Sequence, residues 1–442
     1  MNHCIQASTV EPLSAAQLPY PSKLFVETTT RCNLNCAMCV KQAPDSDIGN
    51  DHMTPKTFAR LEPAFAELQV LILNGIGEPL LNPHLESFIK AARKHMPESG
   101  WIGFQSNGLL LNQQRAITLM DAGLNGICLS LDAISPETFR KVRQGGEVAA
   151  VQNAFTSLQL AQQQRPASQL QIGVEFVVRQ DNLQELPEVI EWAAKQGVNF
   201  AIVSQLMPYA AKQIEQRAYD NVSDAALTIF DKWQRIAADQ GLEIRDYQRT
   251  AGSVDRQRHR AIAELVKQMK AEARDQEIFF NVRQLFERDE NQSNLTARVF
   301  AQAIEVATQH GLELRLPSVV PLHERSCTFV EDGGAFISWD GKLHPCYNLW
   351  HGYRCYIEDW ERTVSPKSFG NICRKNILEI WNQSDFIGFR QNVLSQDYPY
   401  CSNCSVAPCD YIESDELEQD CFLSTEPCGA CLWSMGLLQC LQ

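Results

Sequence analysis

Three cysteines near the N-terminus, Cys32, Cys36 and Cys39, stand in the pattern C-x3-C-x2-C. An apolar run at residues 24–26 and three threonines precede them, so we expect the cysteines on the loop after a buried strand. Three thiolates on one short loop can bind three irons of a [4Fe–4S] cube and leave the fourth iron without a protein ligand. Such an open iron can bind a substrate or cofactor directly. A zinc site is the alternative, with His52 as the nearest downstream histidine.

The C-terminal region holds a second group of cysteines. The chain has 16 cysteines, none of them between Cys128 and Cys327 and eleven of them from Cys327 to Cys440. Because the N-terminal sequence lacks a signal-peptide pattern and the cytosol keeps thiols reduced, this clustering predicts metal ligation rather than disulfides. Two zinc ribbons are one alternative, and two fully ligated [4Fe–4S] clusters are the other. Cys355, Cys373 and Cys440 are spare ligands, and the eight candidate ligands are Cys327, Cys346, Cys401, Cys404, Cys409, Cys421, Cys428 and Cys431.

Polar turns follow three further strand-like segments. Gly75 and Gly77 allow a ligand to approach the backbone closely, and Glu78 beside them can hold a cation. The third and fourth segments end in polar residues as well. Plain tight turns are the alternative, since Asn-Gly is a common turn dipeptide. The candidate binding residues from these turns are Gly75, Gly77, Glu78, Pro79, Ser106, Asn107 and Ser130.

Strand-like apolar runs alternate with helical patterns through the first half of the chain. The runs are residues 24–27, 70–73, 101–104, 127–131, 171–178 and 200–203. This alternation predicts an α/β fold with a parallel sheet and outer helices. Six units suggest a partial (β/α)6 TIM-like barrel, whose chemistry gathers at the carboxyl ends of the strands. Glu175 lies within the fifth run, where a carboxylate must be paired or face the barrel lumen.

The remaining chain divides by composition. We predict an N-terminal tail at 1–20, the barrel at 21–209, a helical insert at 210–316 and a small cysteine-rich iron–sulfur domain at 317–442. The insert carries helical periodicity and mixed charges, and we expect it to cover the barrel mouth or dock a partner. Within the last domain, the Asp340-Gly341 dipeptide predicts the turn of a β-hairpin.

Charge and hydropathy exclude several classes of protein. The formal net charge is −14, and the chain contains no long basic run. We therefore expect neither a nucleic-acid nor an anionic-membrane partner. The longest apolar runs are too short to span a bilayer, which predicts a soluble, cytoplasmic protein.

The spacing of Cys32, Cys36 and Cys39 after a first strand resembles the signature of the radical S-adenosylmethionine (radical SAM) superfamily. The resemblance implies the same partial barrel. It also implies that the open iron chelates the amino and carboxylate groups of SAM, and that an electron then cleaves the sulfonium to a 5′-deoxyadenosyl radical.

The polar turns resemble further parts of that family. The turn at Gly77 is similar to the family's Gly-Gly-Glu-Pro segment, which contacts the SAM amino group, although Ile76 separates the two glycines here. The resemblance implies that Ser130 hydrogen-bonds the cofactor and that Arg143 pairs with its carboxylate. Arg140 competes for that second role, because helix register is uncertain from sequence. The turn at Asn107 resembles the family's Thr-Asn-Gly.

The C-terminal cysteine order resembles the SPASM domain, a twitch-type module that carries auxiliary iron–sulfur clusters. Its connecting segment is matched by the FGN at residues 369–371 and the IW at residues 380–381. Two positions depart from the pattern. Glu413 stands where the family has a cysteine, so Cys421 is the expected substitute. Tyr347 stands where sulfatase-maturing members carry an aspartate that serves as the base, which counts against sulfatase maturation.

The resemblance implies a [4Fe–4S] cluster with SAM, two auxiliary [4Fe–4S] clusters, an electron donor such as flavodoxin or ferredoxin, and a protein or peptide substrate. It assigns no catalytic side chain beyond the cluster. The C-terminal PCGACLWSMGLLQC and the MCVKQAP at residues 38–44 resemble a subgroup described as maturases of metalloenzymes, including tungsten-cofactor oxidoreductases. The alternatives are a maturase that crosslinks a ribosomally made peptide and a zinc-bound scaffold without catalysis.

Overall fold

The computed structural model describes residues 15–44, 46–250, 255–357, 360–395, 398–401, 404, 409 and 419–441. Most of the predicted tail and Glu413 lie outside the described residues. The strands are β1 (Lys23–Val26), β2 (Val70–Ile72), β3 (Trp101–Ser106), β4 (Gly126–Ser130), β5 (Gln171–Val178), β6 (Phe200–Gln205), β7 (Glu313–Arg315), β8 (Gly334–Ile337), β9 (Lys342–His344), β10 (Tyr353–Ile357), β11 (Trp360–Val364) and β12 (Gly370–Asn371). The helices are α1 (Pro55–Phe58), α2 (Glu62–Phe65), α3 (Leu85–His95), α4 (Gln113–Ala122), α5 (Pro136–Val142), α6 (Val148–Gln164), α7 (Leu186–Lys195), α8 (Asp224–Asp239), α9 (Arg256–Asp275), α10 (Val282–Glu287), α11 (Glu290–His310), α12 (Thr328–Glu331), α13 (Ile377–Trp381) and α14 (Ser384–Ser395).

The strands β1 to β7 pair in parallel and in chain order within one sheet. Helices connect most of these strands, because parallel neighbours need a crossover. The predicted α/β class and the six barrel strands are confirmed. The sheet also contains strands that the periodicity did not reveal. Strand β7 pairs with β6, and β8 pairs in parallel with β1, so the described part of the sheet has ten strands.

The sheet is buried on both of its faces, which explains why its strands read as continuous apolar runs. All residues of β1, β4 and β6 are buried. On one face, the outer helices cover Leu24 and Val26. On the other face, Phe25 packs with residues of other strands in a separate cluster that fills part of the lumen.

Local signals set the ends of the outer helices. Asn112 accepts a hydrogen bond from the backbone N–H of Arg115 and caps α4, which ends at Gly123 with φ 99°. Glycine adopts this left-handed conformation without the steric cost of a side chain. These two residues fix the ends of α4.

The middle of the chain is helical, and its two halves pack differently. Helices α8 and α9 build a small core of their own around Phe230, Trp233 and Met269. Helix α11 instead packs against α7 and contributes to the main core, and the chain then enters β7. The second half therefore continues the barrel pattern. The boundaries at 209 and 316 remain predictions.

The C-terminal segment returns to the barrel. The β8–β9 hairpin turns at Gly341, whose φ is 85°, as the Asp-Gly dipeptide predicts. At the far end of the chain, the backbone N–H of Gln205 donates to Leu437 (2.9 Å) and that of Gln439 donates to Ser204 Oγ (3.0 Å). These bonds place the C-terminal residues against the end of β6.

None of the helices in the described ranges is long and apolar enough to cross a membrane.

Candidate active site

The loop after β1 carries Cys32, Cys36 and Cys39, and all three are partly buried. Two backbone hydrogen bonds tie the loop to the end of α5, from Asn35 N to Gln144 O and from Ala37 N to Val142 O (both 2.9 Å). Inside the loop, Cys39 N donates to Cys36 O (3.0 Å). The loop is therefore held from outside, and Cys32 and Cys39 lie near enough to Cys36 to raise the pKa of its thiol.

Lys41 braces the same loop from its other side. Its Nζ donates to the carbonyl of Thr30 (2.5 Å), the carbonyl of Gly49 (2.9 Å) and Oδ1 of Asn50 (2.6 Å).

Burial raises the pKa of the thiols of Cys32, Cys36 and Cys39, and that of Cys36 to about 11. Because iron binds thiolates, cluster binding must release these protons.

The glycine turn after β2 runs alongside the cysteine loop. Gly77 N donates to Thr29 O (3.2 Å), and Glu78 N donates to Arg31 O (2.7 Å). A Cβ atom on Gly77 would lie 2.4 Å from Thr29 O and 2.5 Å from Arg31 O. Only glycine permits this approach, so its role here is structural contact between two site loops.

Glu78 connects the second and third strand ends. Its buried carboxylate accepts hydrogen bonds from Ser106 Oγ (2.8 Å), Asn107 N (2.7 Å) and Leu80 N (3.1 Å). Burial raises the pKa of Glu78, and the bonds from Asn107 and Ser106 partly offset this. Both oxygens of the Glu78 carboxylate therefore accept hydrogen bonds from groups of this chain. Pro79 begins the short turn Pro79–Leu81.

The third strand end also reaches the cysteine loop. Asn107 Nδ2 donates to Asn33 Oδ1 (2.8 Å), and Asn33 directly follows Cys32. Hydrogen bonds therefore join Gly77, Glu78, Ser106 and Asn107 to the cysteine loop or to one another. Gly75 and Pro79 flank Gly77 and Glu78 in the same turn.

Arg143 lies beside the cysteine loop, and Arg140 does not. The Arg143 guanidinium pairs with Asp132, and its Nη1 lies 3.9 Å from Cys36 Sγ. Burial alone would lower the pKa of Arg143, but the charges of Asp132 and Cys36 outweigh burial and the net shift is upward. Arg140 is exposed and pairs with Glu147. Ser130 donates from Oγ to Glu175 (3.3 Å).

We expect Asp132→Asn to lower the free energy of unfolding by about 3 kcal/mol, because it leaves the buried Arg143 guanidinium without its counter-charge. Asp132 is fully buried, and its Oδ1 also accepts from Val177 N (2.7 Å). Urea unfolding of the variant measures the effect. Arg140→Gln is the matched control, since its ion pair is exposed. Equal stability of both variants would contradict a structural role for the buried pair.

Four C-terminal cysteines line one small cavity. They are Cys327, Cys346, Cys428 and Cys431, together with Arg325, Tyr398 and neighbouring residues. Burial raises the pKa of each of the four thiols, and that of Cys327 to about 12. Nearby thiols add to the upward shift at Cys327, Cys346 and Cys428. Cys327 and Cys431 come from segments about a hundred residues apart, so only the fold brings them together.

A second set of cysteines lies beyond that cavity. Cys421 is exposed, and Cys404 and Cys409 lie near enough to raise its pKa, although burial contributes most. Cys401 lies at the edge of the cavity, since a Cβ atom on Gly429 would meet its Sγ at 3.1 Å. Seven of the eight predicted ligands therefore fall into two neighbourhoods, four at the cavity and three around Cys421, and Cys401 lies beside the first.

The remaining cysteines occupy other environments. Cys355 is buried within β10, and Cys373 is exposed beside Thr57. Cys440 is partly buried in the lumen cluster and accepts a hydrogen bond from Trp433 Nε1 (3.2 Å). Cys128 is a buried core residue of β4.

Within the described ranges, no three His, Cys, Asp or Glu side chains converge on a point that a single metal ion could occupy. In a [4Fe–4S] cube each cysteine binds a different iron, so the ligands surround a cluster instead of meeting at a point. Three thiols on one loop and four around one cavity fit that arrangement.

Sequence reasoning missed a polar network at the strand ends. Tyr347 hydrogen-bonds Asn74, and Asn74 and Gln105 bond each other twice, with Gln105 N donating to Asn74 Oδ1 at 2.6 Å. The Gln105 side chain also hydrogen-bonds Glu175. Gln105 is therefore a partner of the kind that the buried Glu175 carboxylate requires. Tyr347 belongs to the C-terminal segment, so this contact could not be read from the order of the strands.

Glu27 is a second residue that the sequence did not single out. It follows β1 and is fully buried. Each of its two carboxylate oxygens lies 3.1 Å from His351 Nε2. The signal was present, since a carboxylate next to an apolar strand needs a buried partner just as Glu175 does. The partner lies more than three hundred residues away in the chain.

Two family models match separate segments of this chain. Residues 26–207 match the model of the radical SAM superfamily, and residues 327–405 match the SPASM model, an iron-sulfur cluster-binding domain. The first segment contains the cysteine loop and all the strand-end turns described above. The second contains the cysteines from Cys327 to Cys404.

Curated relatives and one solved structure resemble the chain over different lengths. It is 27% identical over 423 residues to the tungsten-containing aldehyde ferredoxin oxidoreductase cofactor-modifying protein of Pyrococcus furiosus, covering 94% of this chain and 96% of that one. It is 28% identical over 217 residues to the probable GTP 3′,8-cyclase of Methanocaldococcus jannaschii, covering 48% and 67%. Native anSMEcpe with bound AdoMet has the same fold, with a TM-score of 0.50, 14% identity, and coverage of 87% and 86%.

Proposed function

This chain is a radical SAM enzyme with a SPASM domain, and we propose that it modifies a protein substrate as a maturase of a metalloenzyme. One observation carries the proposal. The chain is similar over nearly its full length to a protein named for modifying the cofactor of a tungsten-containing oxidoreductase. The similarity to the GTP cyclase covers about half of the chain and leaves the SPASM segment unexplained. Membership in this enzyme family sets aside the zinc-bound scaffold.

The two domains define the cofactors. The radical SAM domain takes a [4Fe–4S] cluster with SAM, and the SPASM domain takes auxiliary iron–sulfur clusters. When bound, the first cluster and SAM supply the 5′-deoxyadenosyl radical. Everything else falls to the side chains and backbone of this chain, which must hold these groups and exclude water.

We assign Cys32, Cys36 and Cys39 as ligands of the SAM-binding cluster. The backbone beside Gly75 and Gly77 would receive the SAM amino group, and Glu78 fixes that backbone through its bonds to Ser106 and Asn107. Pro79 continues the turn. Ser130 and Arg143 would contact the remaining polar groups of SAM, and Asp132 holds the Arg143 guanidinium in place.

We assign two auxiliary clusters from the two cysteine neighbourhoods. One is bound by the cavity cysteines Cys327, Cys346, Cys428 and Cys431. The other is bound by Cys401, Cys404, Cys409 and Cys421, with Cys421 replacing the ligand that Glu413 cannot supply. Each set offers the four thiolates that a fully ligated cluster takes.

Iron analysis tests this assignment. Anaerobically purified protein is expected to hold about twelve irons and about twelve sulfides per chain, because three clusters of four irons are ligated. Cys428→Ala should lower the iron to about eight while SAM cleavage persists. About four irons in the unchanged protein would confine the cluster to the N-terminal loop, and zinc with almost no iron would contradict the ligand assignment as a whole.

We also propose the partners of the reaction. Each SAM cleavage needs one electron, which a flavodoxin or ferredoxin would deliver. The net charge of −14 argues against a nucleic-acid partner. A cytoplasmic location and the absence of a membrane partner remain expectations from the sequence.

The substrate is tested by fractionating an anaerobic extract of the source cells. Reconstituted enzyme, SAM and dithionite are mixed with each fraction, and 5′-deoxyadenosine is measured. Stimulation by a fraction that contains a folded metal-dependent oxidoreductase supports the proposal. Stimulation only by a short precursor peptide would overturn it in favour of a peptide-crosslinking maturase. Cys36→Ala enzyme with the same fractions is the control for cleavage from other sources.

A further inference from the structure

The buried carboxylate of Glu27 is held rigidly at the carboxyl end of β1. It accepts hydrogen bonds from Ile76 N at Oε1 (3.2 Å) and from Trp339 N at Oε2 (3.4 Å). A Cβ atom on Gly75 would lie 2.2 Å from Glu27 Cγ, so the glycine is needed to make room for this side chain. Two strand ends and the C-terminal hairpin therefore fix one carboxylate beside the SAM-binding turns.

His351 completes the arrangement from the SPASM segment. Its Nε2 lies 3.1 Å from both oxygens of Glu27. A carboxylate accepts hydrogen bonds, so Nε2 carries the proton and donates it. The other ring nitrogen, Nδ1, is then the unprotonated one in the neutral ring, because the bonded nitrogen sets the tautomer.

The free nitrogen is accessible. In the described part of the chain Nδ1 of His351 has no hydrogen-bond partner. The side chain of His351 is 17% exposed, whereas that of Glu27 is 0% exposed. The lone pair on Nδ1 therefore does not take part in the buried contact between Nε2 and Glu27. It lies at the end of the barrel where the chemistry of this fold takes place.

Two titratable side chains near the Glu27–His351 pair, Tyr347 and His344, are not free to accept a proton. Burial raises the pKa of Tyr347 well above its ordinary value, so its hydroxyl stays protonated. Burial lowers the pKa of His344 to about 4, and both of its ring nitrogens are bonded, to Lys367 O (2.8 Å) and Ser338 Oγ (3.2 Å). A histidine oriented by a buried carboxylate is the arrangement of a general base.

We propose that His351 is a catalytic base for the substrate and that Glu27 is its positioning residue. The substrate carries an O–H, N–H or S–H group next to the carbon that loses a hydrogen atom. The O–H, N–H or S–H bond breaks, its electron pair stays on the oxygen, nitrogen or sulfur, an Nδ1–H bond forms, and Glu27 stabilises the resulting imidazolium. No electron is transferred in this step, and the proton passes to water when the site opens. The inference rests on the radical chemistry of the proposed function and not on which substrate is modified.

Acylation of histidines by diethyl pyrocarbonate tests the free nitrogen without any substrate. In reconstituted holoenzyme at neutral pH we expect His351 to be acylated and His344 to remain unmodified, because both ring nitrogens of His344 are engaged. Glu27→Gln should slow labelling of His351, because its amide can donate to Nε2 and place the proton on Nδ1. The inference is overturned if His351 stays unlabelled while the exposed His310 reacts fully.

Turnover with the extract fraction that stimulates 5′-deoxyadenosine formation tests the catalytic role. His351→Gln should keep 5′-deoxyadenosine formation within about threefold and lower the modified product per 5′-deoxyadenosine by about 10²-fold or more. His351→Gly should regain product when imidazole is added, which a merely structural role would not allow. His310→Gln is the matched control. An unchanged product ratio in His351→Gln would overturn the inference, whether the fraction contains an oxidoreductase or a peptide.

Discussion

Replacement of Cys36 by alanine is expected to abolish SAM cleavage and to remove about four irons per chain. The Cys36 thiol lies 3.9 Å from Arg143 Nη1, and Cys36 stands between Asn35 and Ala37, whose backbone hydrogen bonds fix the loop. With two thiolates left on the loop, the cube loses a ligand that no nearby cysteine can replace among the described residues. The measurements are iron and sulfide per chain and the yield of 5′-deoxyadenosine with dithionite.

Cys373→Ala is the matched control for this substitution. Cys373 is exposed, lies outside both C-terminal neighbourhoods, and bonds only weakly to Thr57 (3.9 Å). We expect unchanged iron content and unchanged SAM cleavage. If Cys36→Ala kept full cleavage activity while Cys373→Ala lost it, the assignment of the SAM-binding cluster to the N-terminal loop would be wrong.

Gly77→Ala is expected to weaken SAM binding by about tenfold or more and to lower the free energy of unfolding by about 2 kcal/mol. The added Cβ would meet the carbonyl oxygens of Thr29 and Arg31 at 2.4 and 2.5 Å, and both are backbone atoms that cannot turn away. The two loops must therefore separate and lose the bonds from Gly77 N and Glu78 N. Equilibrium dialysis with SAM and urea unfolding of the reconstituted protein measure the two effects.

Gly388→Ala provides the comparison, since no atom beyond its chain neighbours and its own helix backbone lies within 4 Å of its Cβ position. It lies inside α14, where alanine is a better helix former, so we expect a gain of up to about 1 kcal/mol in unfolding free energy. SAM affinity should not change. A Gly77→Ala variant that bound SAM as tightly as the Gly388→Ala variant would show that the contact between the two loops is dispensable.

The fold followed from the sequence wherever the pattern was long and local. The run at residues 171–178 is the strand Gln171–Val178, because eight apolar-rich residues between two helical patterns leave little choice. Strand β7 was missed, since three residues that are only partly buried carry no periodic signal. The pairing of β8 with β1 was also missed, because a strand's partner is chosen by the whole chain and not by its own residues.

Some parts of the candidate site followed from the sequence, and others were decided by the fold. The turns at Gly77, Ser106 and Ser130 were located because a polar turn after each strand must reach the same end of a parallel sheet. The choice between Arg143 and Arg140 was open in sequence. The fold buried Arg143 against Asp132 and left Arg140 with Glu147 on the surface. Arg143 follows the last residue of α5 and has non-helical backbone angles (φ −111°, ψ 71°), so helical spacing does not predict where its side chain lies.

The sequence by itself determined the class of fold, the position of three cysteines on the loop after β1 and the presence of two cysteine groups, because each is encoded in short-range spacing. Only the tertiary structure decided that Cys327, Cys346, Cys428 and Cys431 line one cavity, since Cys327 and Cys431 meet through the fold alone. It likewise decided the contact of Glu27 with His351. Such contacts depend on long-range packing, which closes loops of hundreds of residues and leaves no local trace in the sequence.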